Sequence, residues 1–259
     1  MTDSETTRPA GVNVAADLKW QDLRAAIAAG WADFKTMPFY GLFFALFYML
    51  GGIVLYFGMI SSGQLVWFIA AAAGFPLFAP FAAIGIYEVS RRREVGLDVS
   101  WPAVLGALRG RGNGQLSAMA VTVLIVFGFW MVLARGIFAI FFAQSGIGQE
   151  SAGMLLSAQG TAMLAVGTLV GAMIALALFS VTVVSLPMLL DRDVDFVTAM
   201  ITSLEVVRRN RNTMMTWAAL IAAALFVSML PVFAGLLIAL PVLGHSTWHL
   251  YRRVVPAAG

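Results

Sequence analysis

Charged and apolar positions are segregated along this chain. No charged side chain occurs from Thr36 to Tyr87, from Ser151 to Leu190, or from Asn212 to Tyr251. A hydrocarbon layer about 30 Å thick takes about 20 consecutive apolar residues in a helix. The pattern predicts six membrane-spanning helices, at residues 39–60, 65–87, 116–143, 160–190, 213–230 and 232–250. The last two are short and meet at Met229-Leu230-Pro231. Hydropathy alone also admits one long buried helix there. The arginines on both flanks (Arg208, Arg209 and Arg211 before, Arg252 and Arg253 after) favour a hairpin.

Before the first span the periodicity changes. Residues 1–16 are small and polar, with Pro9 and Gly11, and read as a flexible tail. Trp20, Leu23, Ile27, Trp31 and Phe34 then recur at helical steps, with Asp17, Asp22, Arg24 and Asp33 on other faces. This helix is too charged to span and is expected to lie in the interface. Similar segments carry Trp101, Val104, Leu105 and Leu108, and Val197, Met200, Ile201, Leu204 and Val207. Each leads through a polar or basic turn into a pair of spans. The order of elements defines three repeats, residues 17–90, 98–192 and 194–253, after the tail of residues 1–16. Pro80, Pro187 and Pro241 mark the even spans, and each, with Pro76, is expected to kink its helix. The predicted fold class is all-α: a polytopic membrane bundle of six transmembrane helices in three amphipathic-helix-plus-hairpin units forming a single membrane domain over residues 17–259.

Composition agrees. Of 259 residues 61% are hydrophobic and 11% charged, against about 25% charged in an average soluble domain, and mean hydropathy is +0.89. The absence of cysteine excludes disulfides and thiolate metal or nucleophile chemistry. The pI of 9.6 reflects basic residues in short loops beside spans, so no nucleic-acid partner is expected. With the N-terminus inside, all of the 16 basic residues except Arg135 fall on the inner side. That bias predicts cytoplasmic termini. The first 35 residues lack the apolar run of a cleavable signal. Arg135 is expected to snorkel to the outer surface.

The run Gly74-Phe75-Pro76-Leu77-Phe78-Ala79-Pro80-Phe81, continuing through Gly85-Ile86-Tyr87-Glu88-Val89-Ser90-Arg91-Arg92-Arg93-Glu94, and the closing Gly244-His245-Ser246-Thr247-Trp248-His249-Leu250-Tyr251-Arg252 carry a resemblance. They resemble a family of bacterial integral membrane proteins catalogued as domain of unknown function 2189, over most of the chain beyond the tail. The resemblance implies a bacterial inner-membrane location and assigns no activity.

Few residues carry candidate chemistry. His245 and His249, the only histidines, stand four apart on one helix face. They are candidates for metal or axial haem ligation, for proton transfer, or for interfacial anchoring beside Trp248 and Tyr251. In the repeat alignment His245 corresponds to Asp191 and His249 to Glu88. The four would form one polar ring able to bind a divalent cation if they turned inward. Ion pairing with Arg91–Arg93 and Arg192 is the structural alternative for Glu88 and Asp191. No phosphate loop, nucleophile elbow or carboxylate-rich metal cluster is present, so the chain is not expected to be an enzyme, and no cofactor is specified. The functional expectation is a non-catalytic accessory, assembly or membrane-organising component whose partners are the bilayer and other membrane proteins. The alternatives are a small-solute or ion permease using the proline-kinked even spans, and a His-ligated metal or haem subunit.

Overall fold

In a computed structural model of the chain, the structure describes residues 14–61, 63, 70–71, 79–107, 114–142 and 152–256. These form helices and no strand: α1 (Trp20–Thr36), α2 (Pro38–Ser61), α3 (Ala79–Glu94), α4 (Trp101–Ala107), α5 (Gln115–Phe142), α6 (Ala152–Leu156), α7 (Ala158–Thr182), α8 (Ser185–Asp191), α9 (Phe196–Arg209), α10 (Arg211–Met229) and α11 (Leu236–Val254). Four stretches are long and apolar enough to cross a membrane: Pro38–Ser61, Gln115–Phe142, Ala158–Asp191 and Arg211–Met229. They match the first, third, fourth and fifth predicted spans. Most of the second falls outside the described residues, as does Pro76. Its end is α3, described from Ala79 onward, with Pro80 at the edge of the described residues.

The sixth predicted span, α11, is not among the four. Its closing turns mix Trp248, Tyr251 and both histidines with Arg252 and Arg253, and it is the helix on which the others converge. Leu240, His245, Trp248, Tyr251 and Val254 are all buried. Three glycines let neighbours reach its backbone. A Cβ on Gly30 of α1 would stand 2.3 Å from Ser246 Oγ, one on Gly41 of α2 would meet Pro241 at 2.6 Å, and one on Gly244 of α11 itself would meet Ile86 of α3 at 2.9 Å. The chain reverses between α10 and α11, where Leu225 packs with Leu236 and Leu240. Val232 and Phe233 turn it with φ of 51° and 63°, a region branched and aromatic residues seldom adopt. Phe233 is held there by burial with Leu225, Leu236 and Leu240, its ring over Gly52.

The fourth predicted span is not one continuous helix. α7 ends at Thr182 and α8 begins at Ser185. Pro187 explains the position: its ring would clash with the carbonyl four residues earlier, that of Val183. The backbone groups freed by the break are satisfied from α9. Ser203 Oγ accepts from the Val184 N–H at 3.2 Å and donates to the Ser180 carbonyl at 2.8 Å, replacing the i→i−4 bond between them. Pro241, by contrast, lies within a continuous α11.

Two further expectations are corrected. Residues 14–16 are anchored: Val14 is buried, the Ala15 N–H donates to the Val254 carbonyl, and Asn210 Nδ2 donates to the Ala15 carbonyl. The α1 helix also divides the apolar face read from the sequence. It buries Leu23, Ala26, Gly30, Asp33 and Phe34, while Trp20 and Trp31 remain 53% and 42% exposed. Close approach to α11 through Gly30 selects the small side chains for the inside and leaves the indoles out.

Candidate functional site: the polar junction of α1, α3 and α11

Contact at Gly30 aligns α1 antiparallel to α11, with Asp22 bonded to Arg253 further back along the pair. It also carries Asp33 into the junction with α3. Asp33 is only 7% exposed and gathers three donors. Arg93 Nη1 donates to Oδ1 at 2.6 Å. Ser90 Oγ and His249 Nε2 both lie on Oδ2, at 2.6 and 2.9 Å. His245 Nδ1 is 3.9 Å from the same oxygen but 2.7 Å from Ser90 Oγ, so the serine bridges them. Burial alone opposes ionisation of Asp33. The hydrogen bonds from His249 and Ser90 outweigh it and hold the carboxyl below its ordinary range.

An ionised carboxylate only accepts hydrogen bonds. Ser90 therefore spends its single proton on Asp33, and its oxygen accepts from His245, whose hydrogen sits on Nδ1. By the same argument His249 carries its hydrogen on Nε2. Nε2 of the fully buried His245 is then a bare lone pair, with no partner among the described residues. With two histidines in the chain, 15N imidazole spectra of labelled protein are expected to show one ring of each tautomer. Two Nε2–H rings would refute the arrangement.

The four residues singled out from the sequence do not converge on one ring. His245 and His249 join through Asp33 and Ser90. Glu88 is held by Arg91, with Nε at 2.7 Å and Nη2 at 2.8 Å, and by Arg92 Nε at 2.7 Å. Asp191 accepts from Tyr251 Oη at 2.8 Å and Arg252 Nη1 at 3.1 Å, with Arg192 at 3.9 Å. Among the described residues no group of three or more His, Cys, Asp or Glu is placed to hold a metal ion. Trp248 and Tyr251 do not form an interfacial belt. Both are buried, and the Trp248 indole N–H donates to Glu94 Oε2 at 2.9 Å, an acid that also binds Arg252 at 2.8 Å. Arg135 is exposed on α5.

Asp33, Ser90 and Glu94 are the members that sequence reasoning did not assign, and Arg93, expected beside Glu88, pairs instead with Asp33. One signal was available for Asp33: Ala26, Gly30 and Asp33, at steps of four and three, form a stripe of small residues ending in an acid.

Beside the junction, α3, α7, α8, α10 and α11 line a half-open cavity of about 460 Å³. Its walls are apolar apart from hydroxyls such as those of Tyr87, Thr182 and Thr247, and no charged side chain among the described residues lines it.

No curated protein and no solved structure matches the chain. One family model does, and the closing Gly244–Arg252 motif lies beyond the matched stretch. Residues 68–191 match the family described as predicted integral membrane protein (DUF2189), which upholds the resemblance over that stretch and makes this chain an integral membrane protein with several apolar helices.

Proposed function

We propose that the protein is a non-catalytic accessory or membrane-organising component of a bacterial inner membrane, with both ends in the cytoplasm, that docks other membrane proteins on its apolar helix faces. The observation that carries this reading is how little of the spans the fold uses. The most apolar windows of α2 and α10 are 17% buried and that of α5 is 22% buried. Phe47, Ile140 and Phe226 stand far out on those faces. The inward carboxylates are already committed to arginines, and among the described residues the cavity presents no charged side chain to a charged solute, which supports docking over permeation.

Photo-crosslinking residues placed at 47, 140 and 226 are expected to give discrete protein adducts in native membranes, with none from the buried position 119. Lipid adducts alone at all three would overturn the reading.

Orientation has its own test, made clean by the absence of native cysteine. Single cysteines at positions 62, 147 and 230 are expected to react with an impermeant reagent from the periplasm. Those at 97 and 211 should react only after the membrane is broken. Labelling of 211 from outside would reverse the topology.

A further inference from the structure

The basic side chains at one end of the bundle fall into two groups. Arg91 and Arg92 pair with Glu88, Arg93 with Asp33, Arg192 and Arg252 with Asp191, Arg209 with Glu205, and Arg253 with Asp17 and Asp22. Lys19, Arg24, Lys35, Arg208 and Arg211 have no ion pair with a carboxylate among the described residues.

Four of these five, all but Lys19, follow a pattern. Trp20, Arg24, Ala28, Trp31 and Lys35, at steps of four, four, three and four, make one stripe on the side of α1 turned away from Leu23, Ala26, Gly30 and Asp33. Lys35 Nζ stands 6.0 Å from the Trp31 ring centre. On α9, the inner face buries Ala199, Thr202, Ser203 and Val206. Its outer face shows Val197, Ile201 and Leu204, with Ile201 61% exposed, and ends in Arg208, with Arg211 opening α10. These helices are thus apolar on two sides, and the fold covers only one.

Water does not favour exposed tryptophan and isoleucine in a row, and hydrocarbon does not favour unpaired cations. The boundary between headgroups and acyl chains accommodates both. A cation without a carboxylate in that layer is complementary to a lipid phosphate. We propose that the outer faces of α1 and α9 form a collar that binds anionic phospholipid, the indoles and aliphatic side chains entering the acyl boundary and Arg24, Lys35, Arg208 and Arg211 taking the headgroup phosphates. This goes beyond the docking role, since the collar shares no residue with the crosslinking positions on α2, α5 and α10, and either reading can fail alone.

The test uses the full chain in nanodiscs or mild neutral detergent, with phosphatidylglycerol and phosphatidylcholine of identical acyl chains competing for retention, read by native mass spectrometry. One basic side chain near an acidic leaflet is worth about fivefold in partition. The wild type is expected to retain phosphatidylglycerol preferentially. The combined change Arg24→Gln, Lys35→Gln, Arg208→Gln and Arg211→Gln should cut that preference at least about tenfold, and Arg24→Lys with Arg208→Lys and Arg211→Lys should keep most of it. Equal retention of both lipids by the wild type, or an undiminished preference in the glutamine variant, overturns the proposal. A glutamine variant that fails to fold leaves the wild-type comparison and the lysine variant to decide.

Discussion

Replacing Asp33 by alanine is expected to destabilise the folded chain by about 3 kcal/mol, the scale of loss when one partner is removed from a largely buried ion pair. Arg93 would keep its charge in the junction without a counter-ion, and Ser90 and His249 would each lose an acceptor. Unfolding of the detergent-solubilised protein measures the loss. The cycle with Arg93→Gln should show the double variant less destabilised than the sum of the singles, because each single change strands the other's partner. Equal stability of Asp33→Ala and wild type would remove Asp33 from the centre of the junction. Acid provides a second reading. The folded-state carboxyl is held below its ordinary value of 3.8, so its contribution is complete above that value and disappears as pH falls through the lowered one. The acid limb of the stability curve should be shallower in Asp33→Ala.

Ser203→Ala removes a single oxygen and should cost about 1–3 kcal/mol, the penalty for stranding buried backbone groups. Without the hydroxyl, the Val184 N–H and the Ser180 carbonyl face each other across the α7–α8 break with no partner. Pro187 prevents the simple remedy of continuing the helix. Ser203→Thr, if its added methyl fits, keeps the bridge. Changing Pro187 to alanine in the Ser203→Ala background should recover part of the loss by allowing the direct i→i−4 bond. No recovery would show that tertiary packing, not the proline, sets the break.

The long apolar helices were legible because charge-free stretches have one solution in a bilayer. So were the arginine partners of Glu88, which stand three and four residues along the same helix. The rotation of α1 was not. Pattern reading weights large apolar side chains and so selects Trp20 and Trp31, whereas α1 meets α11 at backbone distance and buries Ala26 and Gly30 instead. Asp33 was placed only off the apolar face, because its partners lie 57 and 216 residues away in sequence, at Ser90 and His249. The histidine pair was visible, but spacing alone could not say that both rings would share one carboxylate. The break at Val183 lay behind a legible cue, Pro187, while the serine that satisfies it belongs to another helix.

The contacts of α1 also bear on the order of synthesis. Ser90 and Arg93 apart, what fixes α1 and the residues before it is made late: Asn210, Thr213, His249, Arg253 and Val254 hold residues 15–33 through hydrogen bonds. Contacts this distant in sequence close slowly and cannot form while their partners are still in the ribosome. The first amphipathic helix must therefore wait, with its small-residue face uncovered, until residues 236–254 have emerged. A nascent chain stopped before α11 would leave that face, and the acid at its centre, open to quality-control proteases. Of the described helices, the one translated first is among the last to reach its place.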